Sequence, residues 1–245
     1  MDALLLATKE GRIEVNSKMK SHRLRSIVGW LIKKLTHTTF KGVENIPPSG
    51  GILVACNHMS RMDIAVLFLT PNRPDMTALV TTKYLKYPLL RWFIVTANGI
   101  WIDRDTADFS AFRTAVEALH EGKAVGIAPE GTRSQNAQLL EGKPGVALLA
   151  LRARVPIIPV AITGTEDSFS KLKHLKKPSM MVEYGKPIYP PDMDRSNREG
   201  QLENLTTEIM CQIAAMMPEK YHGFYANHPR LKELLAEKKT VTSSD

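Results

Sequence analysis

From Gly42 to about residue 217 the chain alternates short, unbroken apolar runs with stretches of helical periodicity, and this alternation restricts its fold more than any other feature. The runs at residues 51–56 (GILVAC), 77–81, 99–102, 124–128, 155–162 and 180–184 are of strand length, and strands without polar alternation are those buried on both faces. Between them, residues 64–69, 109–120, 145–152 and 202–217 carry helical patterns, while 85–96 reads as a helix or an apolar loop. Strands alternating with helices predict an α/β domain, with residues 180–184 as an edge strand. A chain of 245 residues that is 43% apolar can bury a full core, which excludes disordered and fibrous classes. The reading is an N-terminal helical segment (1–41), one domain (42–236) and a polar, frayed tail (237–245).

The net charge of +8 points to an anionic partner, and its distribution narrows the choice. No acidic residue lies between Glu14 and Glu44, while Lys18, Lys20, Arg23, Arg25, Lys33, Lys34 and Lys41 do. Within that stretch Leu24, Ile27, Val28, Leu31, Ile32 and Leu35 recur at spacings of three and four, predicting an amphipathic helix over residues 22–37 with Trp30 near the edge of its stripe. Such a helix either packs its stripe on the domain or lies in the headgroup layer of an anionic bilayer. Nothing resembling a zinc finger or an aromatic RNA-binding signature accompanies it, so nucleic acid is not the expected partner. No run reaches the roughly 18 apolar residues of a membrane span, and the first residues lack the features of a secretory signal. Two distant cysteines, Cys56 and Cys211, offer neither a disulfide framework nor a metal site and suit a reducing compartment.

Two strands run directly into polar clusters. After residues 51–56 comes Asn57-His58-Met59-Ser60-Arg61-Met62-Asp63, in which Ser60 and Asp63 resemble a capping box that starts a helix near Arg61. With His58 in the loop and Asp63 in the first helical turn, the imidazole can fold back onto the carboxylate, which fixes the tautomer and frees the second ring nitrogen to take a proton. After residues 124–128 comes Pro129-Glu130-Gly131-Thr132-Arg133-Ser134. Here a glycine permits close approach of the backbone, hydroxyls are offered, and Arg133 supplies a fork that matches phosphate oxygens. Each cluster follows a strand, where ligands of α/β sheets sit. Each also has an ordinary reading, as a helix cap and as a solvated turn.

His58 and Asp63 in NHMSRMD and Glu130 to Ser134 in APEGTRS resemble the H-x4-D and E-G-T-R-S motifs of the glycerolipid acyltransferase family. Gly99-Ile-Trp-Ile-Asp-Arg104 is similar to the family's G-x4-R block, and Val155-Pro-Ile-Ile-Pro-Val160 to its V-P-I-I-P-V strand. The four blocks stand in the family's order within residues 42–187. The resemblance implies a mixed, mostly parallel sheet flanked by helices. It also implies transfer of a fatty acyl group from acyl-CoA or acyl carrier protein to the sn-2 hydroxyl of 1-acylglycerol 3-phosphate, giving phosphatidic acid. Glycerol 3-phosphate or another lysophospholipid is the alternative acceptor, and a non-catalytic lipid-binding protein is the alternative class.

In that chemistry His58 is the base and Asp63 orients it. Arg133 and Arg104 hold the acceptor phosphate, and Glu130, Gly131 and Thr132 shape the pocket. Lys83, or a backbone N–H near His58, faces the thioester oxygen. Lys143 and Gly145 resemble a family K-x-G without the aromatic that commonly precedes it. No cofactor or metal is called for. Cys56 could in principle carry an acyl group, but it ends an apolar run and reads more simply as core. A lipid acceptor makes the basic helix a membrane-docking element, with the protein peripheral on the cytoplasmic face of an anionic membrane.

Overall fold

The computed structural model describes residues 2–103, 106 and 108–242, with side chains for those from 19 to 240. The chain opens with a long helix, α1 (Asp2–Leu35), followed by β1 (His37–Lys41), β2 (Ile52–Cys56), α2 (Met62–Phe68), β3 (Thr77–Thr81) and α3 (Pro88–Thr96). Then come β4 (Ile100–Ile102), α4 (Phe109–His120), β5 (Ala124–Ile127), α5 (Gly145–Ala153), β6 (Ile157–Thr163), α6 (Ser168–Lys173) and β7 (Ser179–Tyr184). The chain closes with α7 (Arg198–Ala215) and α8 (Pro229–Thr242). The strands form one seven-stranded sheet in the order β1-β7-β6-β2-β5-β3-β4. Only the β6–β7 pairing is antiparallel, so the sheet is mixed and mostly parallel, as expected.

Alternation along the central strands divides the core into two layers. Leu53 and Ala55 of β2 join Val125, Ile157 and Ala161 in a cluster with residues of α4, α5, α7 and α8. Ile52, Val54 and Cys56 face the other way, toward Ile32 of α1 and Met62, Val66 and Leu67 of α2. All five residues of β2 are buried. A strand covered on both faces has no polar face to present, which is why its sequence is continuous in apolar residues.

Three expectations are corrected. Residues 180–184 do not form an edge strand, because β1 pairs in parallel with β7 along its whole length and covers it. β1 reads HTTFK, with exposure alternating along it, and its single apolar residue, Phe40, hid it behind the helical pattern of residues 22–37. The helix stops where Thr36 turns its hydroxyl back on the Ile32 carbonyl, 2.6 Å away, and the β-branched threonines that follow favour the extended chain. The sheet thus begins at His37, five residues before the expected domain start at Gly42. Residues 237–242, read as frayed, continue α8, with Leu231 and Leu234 of that helix buried in the core. Residues 243–245 lie outside the described residues.

α1 resolves the two readings of its stripe by dividing it. Leu24, Val28 and Ile32 pack on the domain, while Ile27, Trp30, Leu31 and Leu35 remain exposed. Arg25 fastens the helix by donating to the carbonyls of Phe68 and Thr70 at the end of α2, groups that a helix C-terminus leaves without intrahelical partners. Among the described residues, no helix is long and apolar enough to cross a membrane.

Candidate active site

β2, β5 and β6 run in parallel, so the loops that follow them leave the same edge of the sheet. Asn57, the first residue beyond β2, is fully buried. Its amide donates to the Ile162 carbonyl at 2.8 Å and accepts from the Ile162 N–H at 2.7 Å. A side chain here takes the place of the next backbone rung, so the chain can turn away while β6 keeps its partners. That turn delivers His58 to the top of the sheet.

His58 Nδ1 lies 3.0 Å from Asp63 Oδ2, and both residues are nearly buried, at 8% and 2% exposure. The same Oδ2 accepts the N–H groups of Met59 and Ser60, each at 2.7 Å. Only half of the capping box expected from Ser60 and Asp63 forms: Asp63 reaches back to the Ser60 N–H, but Ser60 Oγ accepts the Met62 N–H instead of the Asp63 N–H, and α2 starts at Met62 with Arg61 as its N-cap. Thr165 Oγ1 donates to the other oxygen, Oδ1. Thr165 follows Gly164, whose φ of +78° and approach to the Ser179 carbonyl leave no room for a Cβ. Because a carboxylate only accepts, Nδ1 must be the protonated nitrogen of the neutral ring, leaving the Nε2 lone pair as the basic site. Among the described residues, Nε2 has no protein partner.

The second loop meets the first through Glu130. Its Oε1 accepts the His58 N–H at 2.8 Å and its Oε2 the Leu140 N–H at 2.9 Å, while Ser134 N–H donates to the His58 carbonyl at 2.8 Å. Burial pushes the Glu130 carboxyl up to about 7, against the pull of the two backbone donors. Glu130 was expected to shape a substrate pocket. The structure shows it tying the His58 loop to the loop after β5, with both oxygens committed to backbone.

A cavity of about 460 Å³ opens between these loops. His58 and Asp63 line it together with Lys83, Gly131, Thr132 and Arg133, and the structure adds Arg61, Lys86 and Lys143 to the expected set. Gly131 has a φ of +67°, and a Cβ there would meet Lys143 Cδ at 2.9 Å, so the glycine lets the Lys143 side chain cross the loop into the cavity that Arg133 also lines. Lys143 was legible only as a partial K-x-G match, whereas Asn57 and Thr165 carried no sequence signal beyond standing just past strands. Below the cations the lining turns apolar, with Ile64, Leu67, Ala78, Val80 and Ile127. Arg104 lies outside the described residues. Cys56 also lines the cavity, but burial, reinforced by Asp63 and Glu130, pushes its thiol far above the ordinary range, which suits a core residue and not a nucleophile.

One cavity thus joins an imidazole held by a carboxylate to a set of exposed cations and an apolar lining. An acyltransferase family model matches residues 37–163, just over half of the chain, and the chain belongs to that family of enzymes. Within it, the chain is 28% identical over 178 residues to a 1-acyl-sn-glycerol-3-phosphate acyltransferase of Borreliella burgdorferi, covering 70% of this chain and 68% of that one. It is 32% identical over 185 residues to the Saccharomyces cerevisiae protein of the same name, covering 71% of this chain but only 54% of the yeast protein. The crystal structure of the 1-acyl-sn-glycerophosphate acyltransferase PlsC from Thermotoga maritima superposes with a TM-score of 0.60 at 25% identity, covering 79% of this chain and 80% of that one.

Proposed function

We propose that this protein transfers a fatty acyl group from an acyl thioester, acyl-CoA or acyl carrier protein, to the sn-2 hydroxyl of 1-acylglycerol 3-phosphate, producing phosphatidic acid for phospholipid synthesis. The observation that carries this reading is the His58–Asp63 pair opening into the same cavity as Arg133 and Lys143. An alcohol attacks poorly at neutral pH unless its proton leaves as the bond forms. His58 Nε2 accepts that proton while the oxygen adds to the thioester carbonyl, and Asp63 stabilises the resulting imidazolium. Collapse of the tetrahedral intermediate breaks the C–S bond, and the imidazolium returns its proton to the departing thiolate, so no acyl-enzyme forms.

Arg133 and Lys143, joined by Arg104, hold the acceptor phosphate and convert its binding into orientation of the hydroxyl. Lys83, which lines the same cavity, is the side chain assigned to the developing charge on the carbonyl oxygen. The apolar floor suits an acyl chain. The exposed, cation-flanked face of α1 suits docking on the cytoplasmic leaflet of an anionic membrane as a peripheral protein.

An acceptor panel with purified protein tests the reaction. Thioester consumption with 1-acylglycerol 3-phosphate well above that with glycerol 3-phosphate or lysophospholipids of larger headgroup is the expected result. Preference for glycerol 3-phosphate would transfer the assignment to the alternative acceptor, and no acceptor-dependent consumption would leave a lipid-binding protein.

A further inference from the structure

α3 presents a surface that catalysis does not use. Its inner face buries Ile94 and packs Phe93 with Leu24 and Val28 of α1 and Phe68 of α2, Phe93 meeting the Phe68 ring edge-on at 5.6 Å. The opposite stripe carries Leu89, Trp92 and Val95, which are 74%, 56% and 55% exposed, and Leu85, in the short 3-10 turn that precedes α3, is also exposed. The spacing of three puts Leu89, Trp92 and Val95 on one apolar face pointing at solvent, where a helix of a water-soluble domain normally carries charge.

Two further observations say what covers it. No acidic residue occurs between Asp75 and Asp103, while Lys83, Lys86 and Arg91 do, and Lys86 and Arg91 border a groove of about 410 Å³ with Leu85, Pro88, Trp92 and Val95. An apolar stripe with a tryptophan and a wholly cationic border complements the headgroup and upper acyl region of an anionic leaflet. The face also adjoins the catalytic opening. Lys86 lines both this groove and the catalytic cavity, and α3 touches α1, which leaves its own apolar residues exposed.

We infer that α3 is a second membrane-inserting element, which seats Leu89, Trp92 and Val95 in an anionic bilayer and sets the mouth of the catalytic cavity at the lipid surface. The inference rests on the membrane reading of α1 for the position of the bilayer and is independent of the acyl-transfer reading. It makes the route of an amphiphilic acceptor lateral, from the leaflet past Lys86 into the cavity, so that the acyl chain need not cross water.

The test uses the full chain with one reporter tryptophan at a time. In a Trp30→Phe/Trp101→Phe protein, Trp92 fluorescence should shift to the blue and be quenched by bromine-labelled acyl chains in vesicles of equal phosphatidylglycerol and phosphatidylcholine. Leu89→Glu/Trp92→Glu should lower the vesicle partition coefficient at least about tenfold. That double variant should retain its melting temperature and its rate on a short-chain acceptor kept below its critical micelle concentration. Quenching of Trp30 but not Trp92 would overturn the inference by confining insertion to α1. Unchanged partitioning of the double variant would overturn it as well, and so would loss of a dimer by that variant without change in vesicle binding, which would make the stripe a self-association face. A protein that partitions as expected yet consumes no thioester would sink the reaction and spare this inference.

Discussion

The two polar loops that meet over the cavity are held in opposite ways. Around His58 and Asp63 the polar atoms are committed. The carboxylate receives one imidazole, two backbone N–H groups and one hydroxyl, and Asn57 and Glu130 anchor the loop to β6 and to the loop after β5. Across the cavity, Arg133 and Lys143 stand exposed on the rim. The difference matches what the proposed reaction asks of each side. A base acts only if its ring is fixed before the substrate arrives, because an error of about 1 Å can cost about 100-fold in rate. A phosphate-binding cation gains most when its charge is not already neutralised by a carboxylate, since charge-assisted bonds to the incoming anion are then new ones.

The largest effect that would break this contrast is expected at His58. His58→Ala should lower kcat by about 1000-fold or more with unchanged far-ultraviolet circular dichroism, and a loss of helix signal instead would make His58 a structural residue. Asp63→Asn should follow at about 100- to 10,000-fold, also in kcat, because a neutral amide can take over the N–H groups that Oδ2 accepts but supplies no charge to stabilise the imidazolium. If KM for the acceptor moved and kcat did not, the pair would belong to binding.

On the rim the ordering should reverse. Arg133→Ala should raise KM for 1-acylglycerol 3-phosphate about 10- to 100-fold, from the roughly 1.5–3 kcal/mol of a charged hydrogen bond. Its rate on an acceptor lacking phosphate should be unchanged. Arg133→Lys should recover part of the loss, since a lysine keeps the charge but not the fork.

Glu130 joins the two sides, and its titration sharpens the comparison. An unfolded glutamate titrates near 4.5, whereas burial raises Glu130 to about 7 in the folded chain. The native state therefore binds the proton more tightly, and this stabilisation, complete below about 4.5, is lost as pH rises to about 7 and changes little above it. Between pH 4.5 and 8 the wild type should lose roughly 3 kcal/mol of unfolding free energy relative to Glu130→Gln in urea titrations, and parallel pH profiles would contradict the assignment. The smallest effect belongs to Cys56→Ala, which should keep most of the activity. Stable labelling of Cys56 by the acyl donor would replace direct transfer with an acyl-enzyme.

What the chain discloses before folding follows from how local each signal is. The central strands are apolar without interruption because both their faces are covered, and the dyad lies within six residues, so both could be read directly. β1 could not, because an edge strand of histidine, threonines and one phenylalanine owes its existence to the neighbour it pairs with. Asn57 and Thr165 escaped for a similar reason: their partners, Ile162 and Asp63, lie 105 and 102 residues away. Glu130 could be located by its motif but not given its role, because only the folded chain shows that its carboxylate points at the His58 backbone. The exposed half of the α1 stripe became visible once three of its residues were seen to face inward.

The central claim is that one cavity joins a dyad-held base to a phosphate-reading rim. The most direct test is the initial rate of free-thiol release from acyl-CoA and from acyl carrier protein thioester, measured for wild type and His58→Ala with 1-acylglycerol 3-phosphate and with the corresponding monoacylglycerol. The account predicts release that needs His58 and that falls sharply when the acceptor loses its phosphate. Release of equal rate in the His58→Ala protein, or with both acceptors, would contradict it.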